Sequence, residues 1–266
     1  MPYEFTRHQL QDPPKTGKDE KPPIARQDIL RKDGSAFVLH NVLSPSECRW
    51  FIEQAEGFGL YECEYGRLHP IRITARVAAR SESVADMIFN RIRPFLDPCV
   101  DLRDDGNDGR PRSKGVASAF RSCRWHPAGL NEVFRVCRYR AGGYFLPHHD
   151  GGYVRNEFER SMQTVMIYLN DEFEGGATNF YDERQAHYAA GDPNKILYSF
   201  RPKAGDVLVF NSAMTHDGGR LDRGTKYIMR SEVMYTTLRQ KGGDEGRDNI
   251  KPDHDSVDSS FVPDGY

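Results

Sequence analysis

Residues 137–181 read CRYRAGGYFLPHHDGGYVRNEFERSMQTVMIYLNDEFEGGATNFY, a series of short β-branched and aromatic runs separated by Gly, Asp and Asn. Runs of this length and composition are typical of β-strands joined by tight turns. Similar runs flank this stretch: VFRVCRY at 133–139, ILYSF at 196–200, DVLVF at 206–210 and KYIMRSEVMY at 226–235. Many short strands at this spacing indicate a β-sandwich or barrel.

The sequence before this β-rich part contains two helix patterns. In LSPSECRWFIEQAEGFG, Ser44 is a candidate N-cap, Pro45 occupies the first helical position and Glu47 completes a capping box. A second helix is predicted roughly over residues 83–95, where apolar residues recur on one face. Helices packed outside one barrel predict an α+β fold that is mainly β.

The distribution of polar residues suggests how the chain is divided. Residues 1–33 lack apolar periodicity and are predicted to form a polar N-terminal arm, and residues 239–266 a polar C-terminal arm. Between them we predict a single domain over 34–238, in which 34–115 provide helical support and 116–238 form the β-rich core.

Composition excludes several classes of function. The balance of 37 basic against 39 acidic residues leaves no net field that would attract nucleic acid or an anionic membrane. No apolar run is long enough to span a membrane, and the first residues lack the apolar core of a signal peptide. The five cysteines form no CxxC pair, which argues against a disulfide framework or a structural zinc site. We therefore expect a cytoplasmic or nuclear protein, and the sequence does not predict its oligomeric state.

The PHHD segment is a candidate metal site. Side chains in a strand alternate between faces, so His148 and Asp150 share one face whereas His149 points the other way. His216, which follows an apolar strand and precedes a Gly-rich turn, is a candidate third ligand. Two His and one carboxylate form the facial triad typical of non-haem Fe(II) oxygenases. The HxD triplet alone is common by chance, so it indicates a metal site only when other motifs of such a site occur nearby in the sequence.

Those surroundings are distinctive. From about residue 134 to 236 the chain closely resembles the prolyl-4-hydroxylase-like branch of the Fe(II)/2-oxoglutarate-dependent oxygenases. Its motifs occur in order and with compatible spacing: Tyr139, Gly143, His148, Asp150, Thr164, the YLN at 168–170, the GGATNF at 175–180, Gly205, Asp206, His216 and Lys226. The resemblance implies a double-stranded β-helix, which is a jelly-roll barrel, with the helices packed outside.

The resemblance also implies an activity. His148, Asp150 and His216 would be the catalytic metal ligands, holding Fe(II), which 2-oxoglutarate chelates while one position stays open for O2. The implied enzyme is a dioxygenase that hydroxylates an unactivated C–H bond and releases succinate and CO2, with ascorbate as a stimulating reductant. Family members that halogenate lack the carboxylate ligand, so Asp150 favours hydroxylation.

The distal carboxylate of 2-oxoglutarate requires a cation, because an unpaired charge is costly to bury. By resemblance, Lys226 is that cation, Tyr168 donates a hydrogen bond to the same carboxylate and Tyr139 lines the pocket. Thr164 lies four residues before Tyr168 and shares its face, so it is a further candidate for binding 2-oxoglutarate. Arg230 lies on the face of Lys226 and is a competing candidate, since arginine binds carboxylates in a bidentate manner.

The substrate is less well defined by the sequence. Side chains in segments that can border the iron are candidates for substrate binding: His126, Asn131, Arg135 and His187. Arg135 could equally be a salt-bridged strand residue. We predict a protein or peptide substrate, most simply a prolyl residue. A free amino acid or other small metabolite is the main alternative, and a non-catalytic metal-binding barrel is a remote one.

Overall fold

The computed structural model describes residues 8–14, 22–30, 36–65, 70–98, 100–101, 124–181 and 195–237. Its strands are β1 (His8–Gln9), β2 (Ala25–Leu30), β3 (Ala36–His40), β4 (Tyr61–Tyr65), β5 (Arg72–Arg80), β6 (Val100–Asp101), β7 (Arg124–Leu130), β8 (Val133–Arg140), β9 (Tyr144–His148), β10 (Val154–Asn156), β11 (Glu159–Tyr168), β12 (Phe173–Gly175), β13 (Thr178–Tyr181), β14 (Ile196–Phe200), β15 (Val207–Asn211), β16 (His216–Gly218) and β17 (Leu221–Thr237). Its helices are α1 (Pro45–Phe58) and α2 (Glu82–Ile92), and a 3-10 turn follows at Arg93–Phe95.

The strands form a barrel with two curved faces. The strand order of the larger face is β2-β3-β15-β11-β17-β8-β5-β4, and each strand is antiparallel to the strands beside it. The smaller face is ordered β9-β16-β13-β14, again antiparallel. Pairing of β5 with β9 joins the two faces along one side. This arrangement is the double-stranded β-helix that the family resemblance implied.

Alternation of side chains divides the apolar core between the two surfaces of the larger face. One surface packs on the helices, and its fully buried members include Phe37, Val136 and Ile167 together with Phe51 of α1 and Ile88 of α2. The neighbouring positions point into the barrel and are also buried: Val38, Cys137, Tyr139, Met166, Tyr168 and Ile228. The helices therefore support the sheet from outside, and the barrel interior is left for the site.

The first helix starts as predicted. Ser44 Oγ accepts a hydrogen bond from the Glu47 amide at 3.2 Å, and Glu47 Oε2 accepts one from the Ser44 amide at 2.8 Å. Gly59, with φ of +80°, ends the helix. Helix α2 begins one residue earlier than predicted and gives way to the 3-10 turn at its end. No helix in these described ranges has both the length and the hydrophobicity needed to span a membrane.

The structure adds strands to segments for which none were predicted. Strand β2 lies within the segment assigned to a polar arm, where it pairs with β3 at the edge of the larger face. An edge strand is held by backbone hydrogen bonds and needs no continuous apolar side, so its composition is polar. Strands β3 and β5 likewise lie within 34–115, so this segment contributes sheet as well as helix. The predicted domain boundaries themselves remain predictions, and residues 239–266 lie outside the described ranges.

Candidate metal and co-substrate site

The three predicted metal ligands meet inside the barrel. His148 ends β9 and His216 begins β16, and the two residues are direct antiparallel partners. Asp150 follows β9 and is fixed by a backbone hydrogen bond from its amide to the Ser212 carbonyl at 3.0 Å. One ligand atom from each of the three side chains lies within 4.8 Å of the others.

Hydrogen bonds orient both imidazoles toward the carboxylate. His148 Nδ1 lies 2.8 Å from the Leu146 carbonyl and His216 Nδ1 lies 3.0 Å from the Met214 carbonyl. A carbonyl oxygen only accepts, so each Nδ1 carries the proton and each Nε2 presents a lone pair. The Nε2 atoms lie 3.8 Å and 3.6 Å from the Asp150 oxygens, respectively.

The protonation states suit a divalent metal ion. Burial, together with the neighbouring His216, lowers the pKa of His148 to about 3, and burial also lowers the pKa of His216. Burial alone would raise the pKa of Asp150, but the charges of Arg230, His216 and His148 lower it to about 2. Two neutral imidazoles and one carboxylate are the donor set of the facial triad, so these residues fit Fe(II).

Two neighbouring side chains hold the Asp150 carboxylate. Thr164 Oγ1 donates to Asp150 Oδ2 at 2.7 Å and lies 3.1 Å from Ser212 Oγ, and Arg230 donates to Oδ1. Thr164 was predicted to assist the co-substrate, but its hydroxyl contacts the metal ligand instead. Partners of this kind fix the direction of a ligand and tune its affinity for the metal.

Replacing Thr164 with Val should weaken Mn(II) binding by roughly tenfold, since outer hydrogen bonds to metal ligands typically contribute 10- to 100-fold. The substitution keeps the shape of the side chain and removes only its hydroxyl. Titration of Mn(II) followed by electron paramagnetic resonance measures this affinity. Ser212→Ala is the matched control, because Ser212 Oγ contacts Thr164 but has no described hydrogen bond to Asp150. Equal losses in both variants would contradict a specific role for Thr164.

A cavity of about 130 Å³ adjoins the metal ligands. Its lining combines the three ligands with charged and apolar side chains: Arg72, Arg76, Arg135, Cys137, Tyr139, Phe145, Met166, Thr178, Asp217, Lys226, Ile228 and Arg230. The cavity is smaller than the roughly 300–1,000 Å³ of typical ligand pockets. It therefore suits a small dicarboxylate near the metal better than it suits a large substrate.

Lys226 is a buried cation that fits a carboxylate. Its side chain is 3% exposed, and Nζ donates to the Gly176 carbonyl at 2.5 Å. Within the described residues no carboxylate lies within salt-bridge distance of this ammonium, and burial lowers its pKa to about 8. A buried ammonium whose described hydrogen bond goes to a carbonyl is incompletely compensated, so an incoming carboxylate would stabilise it.

The two predicted tyrosines flank Lys226 in different ways. Lys226 Nζ lies 5.8 Å from the ring centroid of Tyr139, which lines the cavity, and 5.4 Å from that of Tyr168. The hydroxyl of Tyr168 bonds Thr178 Oγ1 at 2.8 Å, and it is Thr178 that reaches the cavity wall. Burial raises the pKa of Tyr139 to about 12, so this phenol stays neutral.

Arg230 is already engaged by acidic groups. Besides Asp150, its guanidinium contacts Glu232 Oε1 at 3.4 Å, and Arg135 donates to the same oxygen at 2.9 Å. Asn131 Nδ2 donates to Glu232 Oε2 at 2.9 Å. Arg135 is thus both a cavity residue and a salt-bridged strand residue, whereas Asn131 holds Glu232 and does not line the cavity.

Among the remaining histidines, the described His126 and His149 do not line the cavity. His126 Nδ1 contacts the Pro98 carbonyl at 2.8 Å, and the residue is not among those that line the cavity. His187 lies outside the described residues. His149 is exposed, and its Nε2 is 2.8 Å from Thr215 Oγ1, whereas the ring of His148 lies beside that of His216, which agrees with the predicted alternation of side chains.

Several cavity residues were not predicted from the sequence. Arg72 and Arg76 come from β5, a strand within the segment assigned to helical support. Asp217 lies beside His216 and accepts hydrogen bonds from Asn179 Nδ2 at 2.8 Å and Tyr181 at 2.5 Å. The alternation of RITARVAAR placed Arg72 and Arg76 on one face, which is the signal that could have identified them.

Comparison with known proteins agrees with this geometry. Residues 134–231 match the family model of the 2OG-Fe(II) oxygenase superfamily. The probable prolyl 4-hydroxylase 3 of Arabidopsis thaliana is 25% identical over 221 residues, which cover 75% of this chain and 69% of that protein. A putative prolyl 4-hydroxylase of Acanthamoeba polyphaga mimivirus is 26% identical over 182 residues, covering 65% of this chain and 59% of that protein.

A solved structure shows the same fold. The structure of OsALKBH1 aligns with a TM-score of 0.50 at 13% identity, covering 77% of this chain and 99% of that one. The family uses Fe(II), 2-oxoglutarate and O2, and the described site contains the donors that the first two require. The His-Asp-His triad lies inside the segment that matches the 2OG-Fe(II) oxygenase superfamily, and the chain as a whole is similar to prolyl 4-hydroxylases.

Proposed function

We propose that this enzyme hydroxylates a prolyl or other residue of a protein or peptide, releasing succinate and CO2. The observation that carries the proposal is the presence, in one cavity, of the metal triad and a buried lysine suited to a dicarboxylate. The names of the relatives from Arabidopsis thaliana and mimivirus support the choice of a prolyl target.

The size of the cavity supports a target that enters from outside. A volume of about 130 Å³ accommodates little beyond the metal and a small co-substrate. A peptide could place a single side chain at the mouth of this cavity while the rest of the peptide binds on the protein surface. A free amino acid remains the second candidate, because the arginines of the lining could also bind its carboxylate.

The proposed roles of the residues follow from their contacts. His148, Asp150 and His216 would hold Fe(II), and Lys226 with Thr178 would bind the distal carboxylate of 2-oxoglutarate. When bound, the metal and co-substrate supply the oxidising power for C–H hydroxylation, coupled to oxidative decarboxylation. Thr164 and Arg230 keep Asp150 oriented, and the apolar walls formed by Met166 and Ile228 exclude water.

The test is succinate release by the full chain with Fe(II), 2-oxoglutarate, O2 and ascorbate. A panel of prolyl peptides should stimulate succinate formation, and mass spectrometry should find one added oxygen on the stimulating peptide. Free proline in a parallel reaction tests the metabolite alternative. The His216→Ala variant provides the background rate, since it removes a metal ligand.

The outcomes separate the hypotheses. Stimulation by free proline but by no peptide would replace the peptide proposal with the metabolite alternative. An absence of succinate under every condition, including uncoupled turnover without substrate, would overturn the proposed catalytic activity and leave a metal-binding barrel.

A further inference from the structure

Arg72 occupies an unusual position beside the metal ligands. Its guanidinium carbon lies 4.6 Å from the ring centroid of Phe145, and that ring stacks on His148 with centroids 3.5 Å apart. Its NH2 group donates to Cys137 Sγ at 3.0 Å, and its Nε is buried with no hydrogen-bond partner among the described residues. An arginine whose described side-chain partners are a thiol and an aromatic face has capacity left for an anion.

The strand register gathers further cations on the same face. Arg76 lies four positions along β5 from Arg72, so both side chains point to the cavity side, and both line the cavity. On the adjacent β8, Arg135 lies two positions from Cys137, which is the partner of Arg76. The inner face of β5 and β8 is therefore basic beside the metal.

The charges of this face are compensated unevenly. Arg135 and Arg230 are direct cross-strand partners, and the repulsion between them is relieved by Glu232, which both contact. Arg72, by contrast, donates to the thiol of Cys137, and within the described residues its guanidinium has no carboxylate in salt-bridge contact. Among the described residues, the acidic group Glu232 therefore compensates Arg135 and Arg230 but not Arg72.

We propose that Arg72 binds a carboxylate of the substrate and holds the target carbon next to the metal on the His148 side. This inference rests on the proposed hydroxylase function and names its substrate class: a target residue with an acidic side chain nearby, or a small molecule with its own carboxylate. Arginine suits this task because its planar fork makes two parallel, charge-assisted hydrogen bonds to a carboxylate.

The experiment measures binding without turnover. Mn(II) replaces Fe(II) in the full chain with 2-oxoglutarate present, and fluorescence anisotropy follows labelled prolyl peptides that carry Glu or Gln beside the proline. The wild type should bind the Glu peptides on the order of tenfold more tightly, as expected for a charge-assisted hydrogen bond. In Arg72→Gln the Glu and Gln peptides should bind alike, while the affinity for 2-oxoglutarate stays unchanged.

A matched control and a competitor complete the design. Arg80 lies on the same strand as Arg72, is exposed, and forms ion pairs with Glu82 and Glu132. The Arg80→Gln variant should therefore keep the preference for the Glu peptides. Free proline and prolinamide, used as competitors, distinguish a metabolite carboxylate from an acidic peptide side chain.

The inference is overturned if the wild type prefers no carboxylate-bearing probe over its neutral match, or if Arg72→Gln keeps the preference. A loss of 2-oxoglutarate affinity in Arg72→Gln would also overturn it, since Arg72 would then serve the co-substrate. Because binding is measured apart from turnover, a carboxylate preference without succinate release would refute the hydroxylase function and not the anion site.

Discussion

We expect His148→Ala to abolish Fe(II) binding and turnover, and His149→Ala to leave both largely intact. His148 directs Nε2 toward Asp150, whereas His149 is exposed and its described side-chain contact is with Thr215. Removing a direct ligand should cost more than the roughly 10- to 100-fold that an outer hydrogen bond contributes. Metal affinity is measured with Mn(II) by electron paramagnetic resonance, and turnover by succinate release.

The adjacent histidines serve as each other's control, because both substitutions remove the same imidazole from neighbouring positions. Thermal unfolding of both variants checks that neither substitution destroys the fold. If the two variants lost metal affinity equally, the alternation of side chains at the end of β9 would be different from the one described. A loss of metal affinity confined to His149→Ala would show that His149, and not His148, is the metal ligand.

The metal site was predictable because its geometry depends on local periodicity and on a motif with fixed order. Side-chain alternation separates His148 from His149 without tertiary information. The pairing of His148 with His216 could not follow from periodicity, since it depends on the register between β9 and β16. The family resemblance supplied that partner.

The wall of the cavity was less predictable. The pairing of β5 with β9, two segments that are distant in sequence, places Arg72 against Phe145 and so beside the metal ligand His148. Strand β5 contains few large apolar residues and lies between the two helices in the sequence. It therefore falls within the segment that the sequence predicts to provide helical support. Long-range pairing of this kind is decided by tertiary packing, which overrides the local pattern.

The choice between Lys226 and Arg230 also required the structure. Both side chains share a face of β17, and arginine is by chemistry the stronger carboxylate partner. The structure distinguishes them by their existing contacts: Arg230 pairs with Asp150 and Glu232, whereas Lys226 donates to a backbone carbonyl. A cation that is already paired has less to offer a ligand than one that is not.

Lys226→Met should therefore weaken 2-oxoglutarate binding by roughly a hundredfold or more, since breaking a buried charge pair costs about 3–5 kcal/mol. Arg230→Met should chiefly weaken metal binding, because it removes the partner of Asp150. Calorimetric titration of 2-oxoglutarate into Mn(II)-saturated protein separates the two effects. A larger loss of 2-oxoglutarate affinity in Arg230→Met than in Lys226→Met would reverse the assignment.

The pH dependence provides an independent measure of the same contact. In the ligand-free protein burial lowers the pKa of Lys226 to about 8, and the nearby charge of Asp217 opposes that shift. Below this pH the ammonium is already charged, so 2-oxoglutarate affinity should be level. Above it, binding must take up a proton, and affinity should fall about tenfold per pH unit.

The phenol of Tyr139, which flanks Lys226, does not account for such a change. Tyr139, with its pKa raised to about 12, stays neutral through this range, and both carboxylates of 2-oxoglutarate stay ionised. Lys226→Arg keeps its charge at high pH, so its 2-oxoglutarate affinity should remain level where that of the wild type falls. If the decline persisted in Lys226→Arg, the titrating group would be another residue, and Lys226 would not be the cation that binds the distal carboxylate.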